Sequence, residues 1–134
     1  MNVAVNSATD KDGKPFPMTP AEIAWVCHEA NRAYCLTQGD ESQPAWEDAP
    51  SWQRSSAVNG VLAIIANPNR TPKESHEGWY KEKFDAGWVY GEVKNPDSDP
   101  PTHPCMLPYD KLPLFQRRKD SIFGAVVRAC RAED

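Results

Sequence analysis

The sequence predicts a mainly α fold, a small helical module of two pseudo-repeated helix-loop-helix halves with long Pro-rich loops and at most a short β-hairpin. Three observations point there. Apolar residues recur at helical spacing in separate stretches. The start signal Thr-Pro-x-Glu occurs twice, at 19–22 and 71–74. The chain carries 13 prolines among its 134 residues, about twice the average usage, so rigid loops must join the helices. This length suits one domain with one core. Residues 1–18 are polar and aperiodic and are expected to form a flexible arm. Residues 19–134 then form a single domain, with halves at about 19–67 and 71–131.

In the first helix Thr19 can cap, Pro20 fills a first-turn position whose N–H has no partner anyway, and Glu22 closes a capping box. Ile23, Val26, Cys27, Ala30 and Tyr34 then form one apolar stripe, and Gly39 ends the helix. Asp48 is expected to cap a second helix, with Val58, Val61, Leu62 and Ile65 inward and Asn67-Pro68 as its stop. "TPKE" opens a third helix, running through Phe84 to a Gly87 cap. Asp120 is expected to cap the last helix, whose stripe is Ile122, Phe123, Val126, Val127 and Cys130. "WVYGEV", from Trp88, reads as a short strand. Trp25 and Trp79 are expected in the core.

Two stretches echo each other. His28-Glu29 returns as His76-Glu77. "PSWQRSSAVNGVL" from Pro50 returns as "PLFQRRKDSIFGAV" from Pro113, with Gly60 matched to Gly124 after a one-residue insertion. A diverged duplication predicts two halves about a pseudo-two-fold axis. The loop of the second half is longer by about a dozen residues.

A formal net charge of -4, from 15 basic and 19 acidic residues, argues against a DNA- or RNA-coating surface. No apolar run is long enough to span a bilayer and no leader pattern opens the chain, so a cytoplasmic protein is expected. Cys27, Cys35, Cys105 and Cys130 match no zinc spacing and read as buried thiols. His28, His76 and His103 lie on different elements without ligand spacing, so no metal is expected. No phosphate loop, nucleophile elbow or carboxylate pair appears, and no cofactor is implied.

The segment Gly87–Asp110 joins aromatics, a tight glycine turn and a lysine. Trp88 or Tyr90 can stack on a planar ring, Lys94 can meet an anion, and Gly91 admits close backbone approach. The same tryptophan and tyrosine also suit a core plug. His103 and Tyr109 anchor the proline-framed return. With His28, Asn31, Arg32 and Trp46 from the first half, Trp88, Tyr90, Lys94 and His103 make the candidate ligand-binding set.

"HEGWYKEKFDAGWVYGEVKN" and "HPCMLPYDKLPLFQRRKDSIFGAVV" resemble the ryanodine-receptor repeat (RyR) domain family. The match rests on His76-Glu77, Gly87-Trp88, Tyr90-Gly91, His103-Pro104 and Leu112-Pro113, over roughly 74–131. The first half is similar to the longer stand-alone members of bacteria and their phages, but lacks Gly-Trp-x-Tyr-Gly. The resemblance implies a non-enzymatic helical module that binds an adenine-containing nucleotide or a cyclic nucleotide immune signal. It further implies a phage-encoded sponge acting in the host cytoplasm, and a homodimer suits such a role. Two other readings compete: a protein–protein assembly module without a small ligand, and a nucleotide-cleaving enzyme using His28 or His103 for proton transfer.

Overall fold

Threonine and proline set where the helices begin. A computed structural model describes residues 11–13 and 18–131; most of the expected arm at 1–18 lies outside the described residues. Helix α1 spans Pro20–Thr37 and helix α3 spans Pro72–Asp85, each opened by a complete capping box. Thr19 Oγ1 accepts from the Glu22 amide at 3.1 Å while Glu22 Oε1 accepts from the Thr19 amide at 2.8 Å. Thr71 and Glu74 repeat both bonds at 2.8 and 3.1 Å. Each box satisfies two of the orphan donors that a helix start exposes.

Helices α2 (Ser51–Ala66) and α4 (Leu114–Cys130) begin differently. Pro50 and Pro113 stand at their N-caps with ψ of 157° and 155°, without a side-chain cap. Two expected caps are therefore corrected. Asp48 sits in a 3-10 turn, Trp46–Asp48, ahead of α2. Asp120 lies well inside α4, because Leu114 to Lys119 are good helix formers that let the helix run on from Pro113. A matching 3-10 turn, Tyr109–Lys111, precedes α4.

Helix α1 packs on α2 and α4, and α3 packs on the same two. That reciprocal exchange is the pattern of a pseudo-two-fold axis running between α2 and α4. The core consists of Ile23, Ala24, Cys27, Val61, Ile64 and Val127, all essentially sealed from solvent. Each of the larger ones contributes about 1.5–3 kcal/mol by burial. Small Ala24, Cys27 and Cys35 fill α1's buried positions, which turns Val26 outward. Trp25 follows it and is 49% exposed, contrary to the core position expected. On α2 the buried pair is Val61 and Ile64, while Leu62 is exposed.

The strand pair is not a hairpin. β1 (Val89–Tyr90) and β2 (Thr102–His103) pair in parallel, with Val89 opposite Thr102 and Tyr90 opposite His103. Parallel pairing needs the chain to cross over, and the loop between does so. It also lays Asn95 against the other side of Thr102 in an antiparallel bridge. A Cβ on Gly91 would come within 2.6 Å of the Thr102 Cβ, so only glycine fits there.

The repeat is closer in the structure than in the aligned letters. His28 Nε2 lies 2.6 Å from the Pro44 carbonyl, and His76 Nε2 lies 2.7 Å from the Leu107 carbonyl. Pro44 and Leu107 stand equally far before Pro50 and Pro113. Gly39 and Gly87 follow the two histidines at the same distance, with φ of 80° and 91°. The one-residue insertion expected within the last helix is absent. At equal distances from the opening prolines, Val61 and Ile64 are buried in α2 and Gly124 and Val127 in α4. An insertion would have turned every later side chain by about 100°. Gly60 therefore corresponds to Phe123.

Candidate functional site: a cationic aromatic cavity between the halves

A cavity of about 420 Å³ lies where the four helices meet. Its walls are related pair by pair. Cys27, His28 and Asn31 on α1 face it together with their counterparts Ser75, His76 and Trp79 on α3. Gln53, Ser56, Ala57 and Gly60 on α2 do so together with Gln116, Lys119, Asp120 and Phe123 on α4. The cavity thus straddles the pseudo-dyad. The halves differ where it matters chemically: the first supplies Ser56, Ala57 and Gly60, the second a cation, a carboxyl and an aromatic ring.

The long second loop adds an asymmetric wall through Lys94, His103 and Cys105. Trp52, at the start of α2, stands against Lys94, whose Nζ is 5.5 Å from the indole centroid. Lys83 Nζ lies 4.9 Å from the same ring and 5.9 Å from the Trp88 ring. Such contacts are worth about 0.5–2 kcal/mol, more when water is excluded. Lys83 is 5% exposed, with Glu82 at 3.3 Å as its carboxylate partner. Trp88 packs on Trp52 with centroids 5.2 Å apart.

Charge is unbalanced towards the positive. Lys94, Lys119 and Arg70 line the cavity, with Glu82 and Asp120 as the acidic groups. Burial, then the Lys119 and Lys83 ammoniums, depress Lys94 below the ordinary lysine range. Burial pushes the Asp120 carboxyl up to about 7, against the pull of Lys119, so near neutrality only part of it is ionised to offset the positive charge. Burial, then Lys94 and Lys119, hold His103 down to about 3, so the ring is neutral. The Cys105 amide donates to its Nδ1 at 3.0 Å, which leaves the hydrogen on Nε2.

Two acceptors on the wall are buried without a partner, Asn31 Oδ1 and Gln116 Oε1. The Asn31 amide nitrogen is already used, donating to the Lys119 carbonyl at 3.2 Å. Unpartnered buried acceptors cost about 1–3 kcal/mol each, and a guest bearing donors would satisfy them. Among the described residues, no group of three or more His, Cys, Asp or Glu is placed to hold a metal ion. No described helix is long and apolar enough to cross a membrane.

Of the residues singled out from sequence, the structure brings Lys94, His103, His28 and Asn31 to the cavity wall. It does not bring the other four. Trp88 is 8% exposed and acts as the support behind Trp52; Tyr90 is 50% exposed on the outer edge of β1. Arg32 pairs with Glu29 at 3.1 Å, and Trp46 packs edge-on against His28, 5.6 Å away, and borders a separate groove on α2. Outside that candidate set, the structure adds Trp52, Arg70, His76, Gln116, Lys119 and Asp120 to the wall. Trp52 and Gln116 had a signal, since both belong to the repeated Pro-x-aromatic-Gln-Arg stretch.

The RyR domain family model matches residues 65–125, a little under half of the chain. Over that stretch the chain is similar to an RyR domain. The match begins in the last turn of α2 and ends within α4. The matched stretch therefore takes in α3, the long loop and most of α4, including Lys94, His103, Lys119 and Asp120. The residues before Ile65 supply the opposite wall, Trp52 among them.

Proposed function

We propose that the protein binds an anionic, aromatic small molecule of the nucleotide class in this cavity and holds it without chemical change. The favoured guests are an adenine-containing nucleotide or a cyclic nucleotide signal. Sequestration of such a signal in a host cytoplasm, as a phage sponge does, is the role that the family resemblance adds. The observation that carries the reading is the Trp52 indole with the Lys94 ammonium 5.5 Å from its centroid, on the wall of a cavity that also holds Lys119 and Arg70. An indole supplies stacking worth about 1–3 kcal/mol per base, and lysines meet phosphate as point charges.

Binding without turnover is supported by the state of the histidines. His28 and His76 each have Nε2 committed to a carbonyl, and His103 is held neutral far below physiological pH. The hydrolase reading needs His28 or His103 to exchange a proton near the working pH, whereas the wall group raised to about 7 is Asp120. The competing reading as a protein-docking module draws on exposed Trp25, Phe84 and Val93, which are carried on separate elements.

Calorimetry against AMP, ADP, ATP, cyclic AMP and cyclic dinucleotides at two salt concentrations tests the proposal. The expected result is saturable binding that weakens with salt and falls about tenfold or more in Trp52→Ala and in Lys94→Ala. No heat with any of these guests overturns it. Recovery of the guest intact after long incubation separates binder from hydrolase, and sedimentation with and without guest reads the oligomeric state.

A further inference from the structure

Position 120 is where the two walls differ most in chemistry. The first half carries Ala57 there; the second places a carboxyl on the cavity wall. Asp120 lies mid-helix, away from the free N–H groups of a helix start, and its side chain is 23% exposed. Its Oδ2 stands 3.8 Å from His76 Nδ1. The other ring nitrogen of His76 lies 2.7 Å from the Leu107 carbonyl, which can only accept, so Nε2 carries a hydrogen. In the neutral ring, Nδ1 is then a lone pair turned towards a carboxylate. At 3.8 Å the two are beyond hydrogen-bond reach, but a proton held by either one turns two facing acceptors into a favourable pair.

We propose that Asp120 and His76 share a single proton at the cavity wall, and that an anionic guest is bound together with uptake of that proton. The inference rests on the reading of the cavity as an anion site. The groups that face Asp120 define the effect. Lys119, on the same helix, favours the carboxylate. His76 faces it from α3, with Glu82 farther along that wall, and the long loop contributes Lys94, Cys105 and neutral His103. His28 reaches the cavity from α1, and α2 presents only neutral side chains. A phosphate engaging Lys119 and Lys94 withdraws the positive charge that supports the ionised carboxyl and adds negative charge beside it. Both changes favour the protonated pair. By linkage, the proton then favours the guest to the same extent.

The test uses ATP as probe, with wild-type protein and Asp120→Asn, in buffers of different ionisation heat from pH 6.5 to 8.5. Wild type is expected to take up more protons on binding than the variant. Its affinity is expected to fall about tenfold relative to the variant across that range, the change produced when the guest makes the shared proton about ten times harder to remove. Titration of the ATP phosphates affects both proteins alike and cancels. Equal proton uptake and parallel profiles overturn the proposal. Failure of both proteins to bind ATP or any other guest of the calorimetric panel at any pH overturns instead the binding reading beneath it. The shared proton is then still read in the free protein by carbon-13 NMR of the Asp120 carboxyl: a step near neutrality is expected, and one in the ordinary carboxylate range overturns it.

Discussion

The Phe123 ring fills the space that a side chain at Gly60 would need, its Cζ standing 3.1 Å from where a Cβ at 60 would lie. The two positions are counterparts in the repeat, so the halves meet as ring against gap. Gly60→Ala is expected to be near neutral, because a helix-propensity gain of up to about 1 kcal/mol offsets the crowding. Gly60→Val forces the ring away and is expected to cost about 1–3 kcal/mol. Urea unfolding of the two variants measures both.

Lys83 is a cation in the core, held by Glu82 and by the rings of Trp52 and Trp88. Much of its worth lies in the stem that packs under those rings. Lys83→Met should therefore stay within about 1 kcal/mol of wild type, while Lys83→Ala loses about 2–4 kcal/mol as the stem is removed. Thermal unfolding distinguishes them, and near-ultraviolet circular dichroism reports the disturbed indoles.

The two histidines should not be equal. Each ties a helix to the turn ahead of the next one, but His76 is 3% exposed and His28 only half-buried. Replacement by alanine is expected to cost about 2–3 kcal/mol at His76 and about 1 kcal/mol at His28. Denaturant midpoints at one fixed pH give the comparison.

Stability should be flat in acid where most proteins slope. His103 is depressed to about 3, so from the unfolded value near 6.5 down to about 3 the unfolded chain binds the extra proton, and stability falls with falling pH. Asp120 is raised to about 7, so between about 4 and 7 the folded state binds the extra proton, and stability falls with rising pH. From about pH 4 to 6.5 the two slopes oppose each other. In Asp120→Asn the opposition is gone, and stability should rise with pH there by up to about 1.4 kcal/mol for each step of one in pH. Urea titrations at closely spaced pH values test the sign.

The thiols should be silent in the folded protein. Burial pushes Cys27 up to about 12 and Cys105 up to about 11, and the thiolate is the reactive form. Iodoacetamide should modify half-buried Cys130 first. Rapid modification of Cys27 before unfolding would contradict the packing described.

The helix starts at Thr19 and Thr71 were legible because capping is chemistry between residues three apart. So was the pairing of the halves, because Pro-x-aromatic-Gln-Arg occurs twice. The start of α4 was misread at Asp120, since a capping residue type gives no sign that the helix before it is already running. Trp25 was expected in the core and is half exposed, while Trp88, open between stacking ring and core plug, is buried, because an indole suits either place and only the long-range packing decides. The parallel pairing of β1 with β2 has no local signature. Much of the cavity wall was likewise out of reach: Lys119 and Asp120 gain their meaning from residues on α3 and in the long loop, far away in the chain.

Because the walls correspond yet carry different groups, turning a guest end over end is not a neutral act. Lys119 and Asp120 would exchange places with Ser56 and Ala57 relative to it. A molecule with its own two-fold symmetry loses nothing by the turn and has two equal ways to enter. An unsymmetrical one, with a ring at one end and charge at the other, has a single preferred heading, set by which half of the duplication acquired the polar pair.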